Sequence, residues 1–154
     1  MLQKLIQNKG KIVWSLFLIL LLVLIRVFED TLFYDPFLNY FKGEYTHLAF
    51  PKINIFKLFF SIGIRFYINS VISLLLLYVI FKDKQIVKFS ALLYMILGSI
   101  LMISFIFTLI SFGEHSKMTL FYIRRFLIQP IFILLFIPGF YYQKHSSQRG
   151  TERN

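Results

Sequence analysis

The sequence predicts an all-α polytopic membrane protein built as a bundle of four transmembrane helices. Hydrophobic residues make up 58% of the 154 residues, whereas soluble domains average roughly 45–50%. Several apolar runs are also long enough to cross a bilayer, which takes about 20 residues. The net charge of +10 is compatible with nucleic-acid binding, but the basic residues lie around and inside the apolar runs. That distribution indicates membrane topology, and we expect no nucleic-acid partner.

One membrane domain, residues 1–143, accounts for nearly the whole chain. Its predicted spans are about 12–28, 56–81, 86–112 and 118–142. The first apolar run resembles a signal peptide in length, but no small-x-small cleavage site follows it. We therefore predict an uncleaved first helix. Residues 144–154 form a polar tail in which we expect no fixed structure.

The long loop between the first two spans, residues 29–54, is unusually aromatic. Asp35 and Pro36 form a good helix start, with Asp as N-cap and Pro at the first helical position, and Gly43 is a natural stop. A short helix over 36–42 would carry several rings on one side. We expect it either to lie at the membrane interface or to form a lid over the bundle.

The distribution of Lys and Arg predicts that both termini are cytoplasmic. Nine basic residues fall in the segments that share a side with the termini: Lys4, Lys9, Lys11, Lys82, Lys84, Lys88, Lys144, Arg149 and Arg153. Four fall in the outer segments: Lys42, Lys52, Lys57 and Lys117. Because cytoplasmic loops carry the excess of positive charge, the larger group is assigned to the inside.

Polar residues within the spans form two sets. The second span carries Ser61, Arg65, Asn69 and Ser73 at every fourth position, and this stripe should face the bundle because lipid contact would be costly. The fourth span places Arg125 and Gln129 on one face and carries Arg124 beside them. Pro130 should kink this span and free the carbonyl of Phe126.

Three arginines lie at membrane depth with no acidic residue beside them in the spans. By helical rise, Arg124 and Arg125 are roughly 9–11 Å deep and Arg65 roughly 15 Å deep. We expect these three, with Asn69 and Gln129, to form an outward-opening pocket for an anion or a partner helix, with Arg125 as the first choice among the arginines. Two alternatives remain open: a structural role on freed carbonyls or by snorkelling, and an ion or proton pathway.

Arg26 belongs to a different feature at the outer rim of the first span. Glu29 and Asp30 follow it by three and four positions, so both can reach it on one helix face. We therefore predict an ion pair there.

No pattern in the chain predicts catalysis. Cysteine is absent, and the three histidines are far apart with no metal-ligand spacing. No serine deep inside a span lies near a histidine or carboxylate in the sequence, and there is no glycine-rich phosphate loop. We expect no catalytic residues, no metal and no cofactor.

Three segments resemble one known family. LFYDPFLNYFKGEY (32–45), RFYINSVISLLLLYVIFK (65–82) and FYIRRFLIQPIFILLFIPGFYYQ (121–143) are similar to the exosortase F system-associated membrane proteins of bacteria. The resemblance implies a bacterial inner-membrane protein encoded near an exosortase, a membrane transpeptidase that processes C-terminal sorting signals. Exosortase chemistry uses Cys, Arg and His, so this cysteine-free chain does not supply it.

The leading hypothesis is a non-enzymatic accessory protein of an exosortase-type sorting or envelope-processing system. Its expected partners are membrane lipids and an exosortase or the C-terminal sorting helix of its substrate. One alternative is an enzyme or flippase that acts on a lipid-linked phosphate, with the same arginines on the phosphate. A small transporter is a third, although four spans make a narrow bundle. The sequence leaves the oligomeric state open.

Overall fold

The computed structural model describes residues 8–45, 47–129 and 131–151, and all regular elements in these ranges are helical. A 3-10 turn, Gly113–Ser116, precedes the sixth α-helix. The α-helices are α1 Lys9–Val27, α2 Glu29–Leu32, α3 Pro36–Tyr40, α4 Ile55–Phe81, α5 Lys84–Ser111, α6 Lys117–Ile128 and α7 Ile131–Thr151. We call the end that carries α2 and α3 the loop end, and the end at the Lys82–Asp83 turn between α4 and α5 the turn end.

Three helices, α1, α4 and α5, are long and apolar enough to cross a membrane, with mean hydropathies of 2.3, 1.9 and 2.4. They coincide to within a few residues with the first three predicted spans. A fourth crossing exists only if α6 and α7 are counted together as one broken span, since Gly113–Ile128 and Phe132–Lys144 meet at 58°.

The chain breaks between α6 and α7, inside the fourth predicted span, 118–142, for which a kinked helix was expected. Gln129 is extended, with φ −97° and ψ 137°. A residue that precedes proline avoids the helical region, since the proline ring collides with it. Pro130 itself, predicted to kink the span, lies outside the described residues. The break is therefore larger than the predicted kink.

The polar tail is also more ordered than predicted. Helix α7 passes through Pro138 and Gly139 and continues to Thr151. Proline is tolerated in membrane helices where neighbouring groups satisfy the freed backbone, and the residues from Lys144 to Arg149 include no second helix breaker. The expected disorder over 144–154 is thus wrong for residues 144–151.

The buried side chains of the bundle form two apolar cores with a polar layer between them. At the loop end, Leu58 and Ile62 of α4 belong to one core; at the turn end, Leu76, Leu77 and Phe81 belong to the other. The residues of α4 between them are polar and buried: Arg65, Asn69, Ser70 and Ser73. The predicted stripe on the second span therefore faces inward, as its cost in lipid demands.

The aromatic loop covers the loop-end core. The predicted short helix is present as α3, and the Phe37 ring has no exposed surface while Tyr40 retains 7%. Phe37 packs edge-on to Phe105 of α5 with ring centroids 6.3 Å apart. These rings lie inside the bundle, so α3 covers the loop-end core as the predicted lid would.

Hydrogen bonds fasten this loop to the start of α6. The Tyr40 hydroxyl lies 3.1 and 3.2 Å from the carbonyl oxygens of Tyr45 and Leu48, so its one proton is shared between these two acceptors. The Lys117 ammonium donates to the same two carbonyls, at 3.2 and 2.9 Å. Backbone groups of the loop that have no helical partner are satisfied in this way.

Candidate functional site

Glu29, the first residue of α2, is buried against two arginines. Its carboxylate accepts a hydrogen bond from the Arg65 guanidinium and another, 2.7 Å long, from Nη1 of Arg26. The Glu29 side chain is 8% exposed and that of Arg65 only 2%. Glu29 therefore joins α1 to α4 at the level of the polar layer.

Asp35, in the loop before α3, joins that loop to α6 and α4. Nε of Arg124 donates to both carboxylate oxygens, at 3.2 and 3.0 Å, and Nη2 donates as well. The same carboxylate lies 3.9 Å from Nη1 of Arg65. Asp35 occupies the predicted N-cap position of α3 but makes no cap bond, because the charge-assisted pair with Arg124 is the stronger interaction.

These contacts correct the prediction that the intramembrane arginines lack acidic partners. Arg65, Arg124, Glu29 and Asp35, which we call the buried ion network, bring together two positive and two negative charges. The acids were missed because depth estimated from helical rise places them in an outer loop. The loop folds back into the bundle, and its carboxylates reach the arginines.

The two adjacent arginines have opposite environments, which reverses the predicted preference for Arg125. Arg124 is buried, with 5% of its surface exposed, whereas Arg125 is exposed and its Nε donates to Oε1 of Gln129 at 3.2 Å. The predicted shared face of Arg125 and Gln129 is thus real, but Arg125 does not join Arg65 and Arg124. About 100° separates neighbours on a helix, so only one of the pair can face the bundle.

The predicted rim pair is present in part. Arg26 pairs with Glu29, but Asp30 instead accepts a 3.3 Å hydrogen bond from Lys42. Glu29 faces Arg65 inside the bundle, so Asp30, its neighbour in the chain, is directed outward to the loop.

A groove of about 490 Å³ lies beside the ion network, between α1 and the α6–α7 break. Its polar residues are Arg26, Arg65, Asn69 and Gln129, and its walls are otherwise apolar: Ile19, Leu22, Val23, Ile25, Val27, Leu76, Ile128, Ile133, Leu134 and Ile137. Nδ2 of Asn69 donates to the Ile128 carbonyl at 3.0 Å. The groove therefore lies where α1, α4 and the break between α6 and α7 meet.

Arg65, in the wall of this groove, is incompletely hydrogen-bonded. Its Nε and Nη1 are buried and have no hydrogen-bond partner, although Nη1 lies in ion-pair range of Asp35. A guanidinium carries five N–H donors, and a buried donor left unpaired is costly. The groove thus combines apolar walls with an arginine whose donors are not all used.

Of the five residues predicted for one pocket, three line the groove: Arg65, Asn69 and Gln129. Arg124 lies in the ion network, and Arg125 is on the exposed face of α6. No group of three His, Asp or Glu side chains that could hold a metal ion occurs in the ranges 8–45, 47–129 and 131–151. No protein-family model, no curated protein and no solved structure matches this chain.

Proposed function

We propose that this chain is a non-enzymatic accessory membrane protein that binds a transmembrane helix of a partner in the groove between α1 and α7. The observation that carries the proposal is the groove itself. It extends along α1 from Ile19 to Val27, roughly 12 Å or about two helical turns, and its walls are apolar. Arg65 and Asn69 supply polar contacts at one place in the wall.

The state of α1 supports a helical occupant. Only 6% of the apolar window of α1 is buried, against 39% for α4. A helix held on one side leaves a face free for a second helix, and helix pairs in membranes associate by close packing and a few interhelical hydrogen bonds. A partner helix could pack closely against the free face of α1 and present a hydrogen-bond acceptor at the level of Arg65.

The charge balance of the buried ion network favours a helix over a free anion. Glu29 and Asp35 already pair with Arg65 and Arg124, and Arg26, which shares Glu29, is the one excess cation. A free anion at Arg65 would therefore gain most of its attraction only in exchange for a carboxylate. A hydrogen-bond acceptor on a helix needs no such exchange.

The biological setting we propose follows from the resemblance of the three segments 32–45, 65–82 and 121–143. The partner is then an exosortase or the C-terminal sorting helix of its substrate. The chain lies in a bacterial inner membrane with four crossings, α6 and α7 together forming the fourth. The turn end and both termini face the cytoplasm, in accord with the nine-to-four distribution of basic residues between the two sets of segments in the sequence.

Co-purification in mild detergent tests this proposal. A co-expressed exosortase should elute with the wild-type chain and should be lost when Leu134→Trp fills the groove. Met95→Trp is the matched control, because Leu134 and Met95 are 69% and 67% exposed and only Leu134 lines the groove. Retention of the exosortase by Leu134→Trp, or its absence from the wild type, would overturn the proposal.

A second candidate is binding of a lipid-linked phosphate, as an enzyme or flippase would require. The observation that favours it is Arg26, which borders the apolar groove with about half of its side chain exposed. A phosphate there would leave the hydrocarbon chain along the groove. Stoichiometric polyprenyl phosphate in the purified chain, with no co-eluting protein, would select this candidate over the first.

A further inference from the structure

A second cavity lies at the turn end, remote from the groove and the ion network. It has a volume of about 640 Å³ and is lined by Asp83, Gln85, Ile86, Phe89, Phe140, Gln143 and Lys144. Ligand sites in proteins typically have volumes of roughly 300–1,000 Å³. The cavity is formed where the start of α5 meets α7, and the Phe89 and Phe140 rings contact each other edge-on, with centroids 6.1 Å apart.

One lysine lines this cavity, and three more lie close to its lining residues in the sequence. Lys144 lines it, Lys82 and Lys84 flank Asp83 in the turn, and Lys88 follows one turn later. Four lysines against one aspartate leave an excess of three positive charges. None of the four forms an ion pair with a carboxylate that the structure describes.

The one acid in the cavity is already engaged. The Asp83 side chain accepts a hydrogen bond from the backbone N–H of Gln85 at 2.8 Å and so caps α5. Lys144 is positioned by a weaker contact, 3.4 Å from its Nζ to the Phe81 carbonyl at the end of α4. The lysines at this end therefore lack the counterions that Glu29 and Asp35 provide for the buried arginines.

We propose that this cavity binds the headgroup of an anionic phospholipid, with the phosphate among the lysines and the glycerol and first methylenes against Phe89 and Phe140. The lining is suited to an amphiphile because it joins apolar rings to cationic and amide groups within one cavity. Basic pockets between transmembrane helices bind such headgroups. The site lies at the end of the bundle, where headgroups are found, and it is independent of the partner helix in the groove.

Spin-labelled lipids test the site directly. The full chain is reconstituted in phosphatidylcholine vesicles with a trace of spin-labelled phosphatidylglycerol or spin-labelled phosphatidylcholine, and the motionally restricted fraction is measured. Wild type should restrict phosphatidylglycerol more than phosphatidylcholine. The double variant Lys88→Gln/Lys144→Gln should bind phosphatidylglycerol more weakly, by about fivefold for each lysine. This factor corresponds to the attraction between one lysine near the membrane surface and anionic lipid.

The matched control is Lys52→Gln/Lys57→Gln, which removes the same charge from exposed lysines at the loop end. This variant should keep the wild-type preference. Equal restriction of the two lipids by wild type overturns the proposal. So does an equal loss in both double variants, which would indicate attraction by net charge alone. Competition by soluble glycerol phosphate at the same affinity would also overturn it, because it would identify a phosphate site that needs no membrane lipid.

Discussion

Asp35 lies 89 residues before Arg124 in the chain, yet its two carboxylate oxygens accept hydrogen bonds from Arg124 Nε at 3.2 and 3.0 Å. This contact joins the aromatic loop to α6 and, through Arg65, to α4. The loop is therefore part of the polar interior of the bundle and supplies the counterions that its arginines need.

Loss of the Asp35 charge should destabilise the fold strongly. Asp35→Asn leaves Arg65 and Arg124 with one carboxylate between them, and breaking a buried pair costs roughly 3–5 kcal/mol. Asp30→Asn is the control, because the Asp30–Lys42 pair is more than half exposed and such pairs contribute about 0–1 kcal/mol. Unfolding by titration with a denaturing detergent measures both. Equal stability of the two variants would contradict the assignment.

The two adjacent arginines should respond differently to the same change. Arg124→Met leaves Asp35 with only its distant contact to Arg65 and should lower the unfolding free energy by roughly 3–5 kcal/mol. Arg125→Met removes an exposed side chain that contacts Gln129 and should change it by no more than about 0.5 kcal/mol. Unfolding curves in denaturing detergent give the unfolding free energies of the two variants. A larger loss for Arg125→Met would mean that α6 turns Arg125, and not Arg124, toward the bundle.

Close packing of α4 against α5 depends on Gly98. A Cβ at this position would overlap Cε1 and Cζ of the Phe66 ring, so Gly98→Ala should cost roughly 1–3 kcal/mol through overpacking. At Gly63 in α4 an added Cβ meets only Cε of Met102 at 3.7 Å. Gly63→Ala should therefore be neutral or stabilise by up to about 1 kcal/mol. Thermal aggregation temperatures in detergent compare them, and the opposite order would refute the packing.

Much of this architecture follows from the sequence because hydropathy is a local property. The three long helices, the Asp35-Pro36 start of α3 and the inward stripe of α4 were all predictable from residues close together. The position of the break at Gln129 was predictable, because proline disfavours the helical conformation of the residue before it. Its angle was not predictable, because packing against the other helices sets it.

The ion network was not predictable by the same means. Glu29 and Asp35 contact Arg65 and Arg124 only because the loop folds back into the bundle. A depth estimated along a straight helix does not predict the path of that loop. The choice between Arg124 and Arg125 had the same difficulty, because it depends on which face of α6 the neighbouring helices cover. One signal was the position of Asp35 two residues before Phe37, since the buried Phe37 ring carries its neighbours in the chain into the bundle.

The loop should protect its buried rings from water-soluble reagents. The chain has no native cysteine, so single substitutions give unambiguous labelling. Phe37→Cys should react slowly with a charged maleimide, because Phe37 has no exposed surface, whereas Asn39→Cys, on the exposed side of α3, should react fast. Denaturation in SDS should make the two rates equal. Fast labelling of both in the folded protein would show that the loop does not cover the bundle.

Site-specific photo-cross-linking in intact membranes can detect a partner helix in the groove between α1 and α7. A photoreactive residue is placed at Val23 or Leu134, on the two walls of the groove, or at Met95 on the exposed face of α5. We expect cross-links to a co-expressed exosortase or its sorting helix from Val23 and Leu134 and none from Met95. Cross-links of equal yield from all three positions, or from Met95 alone, would contradict it.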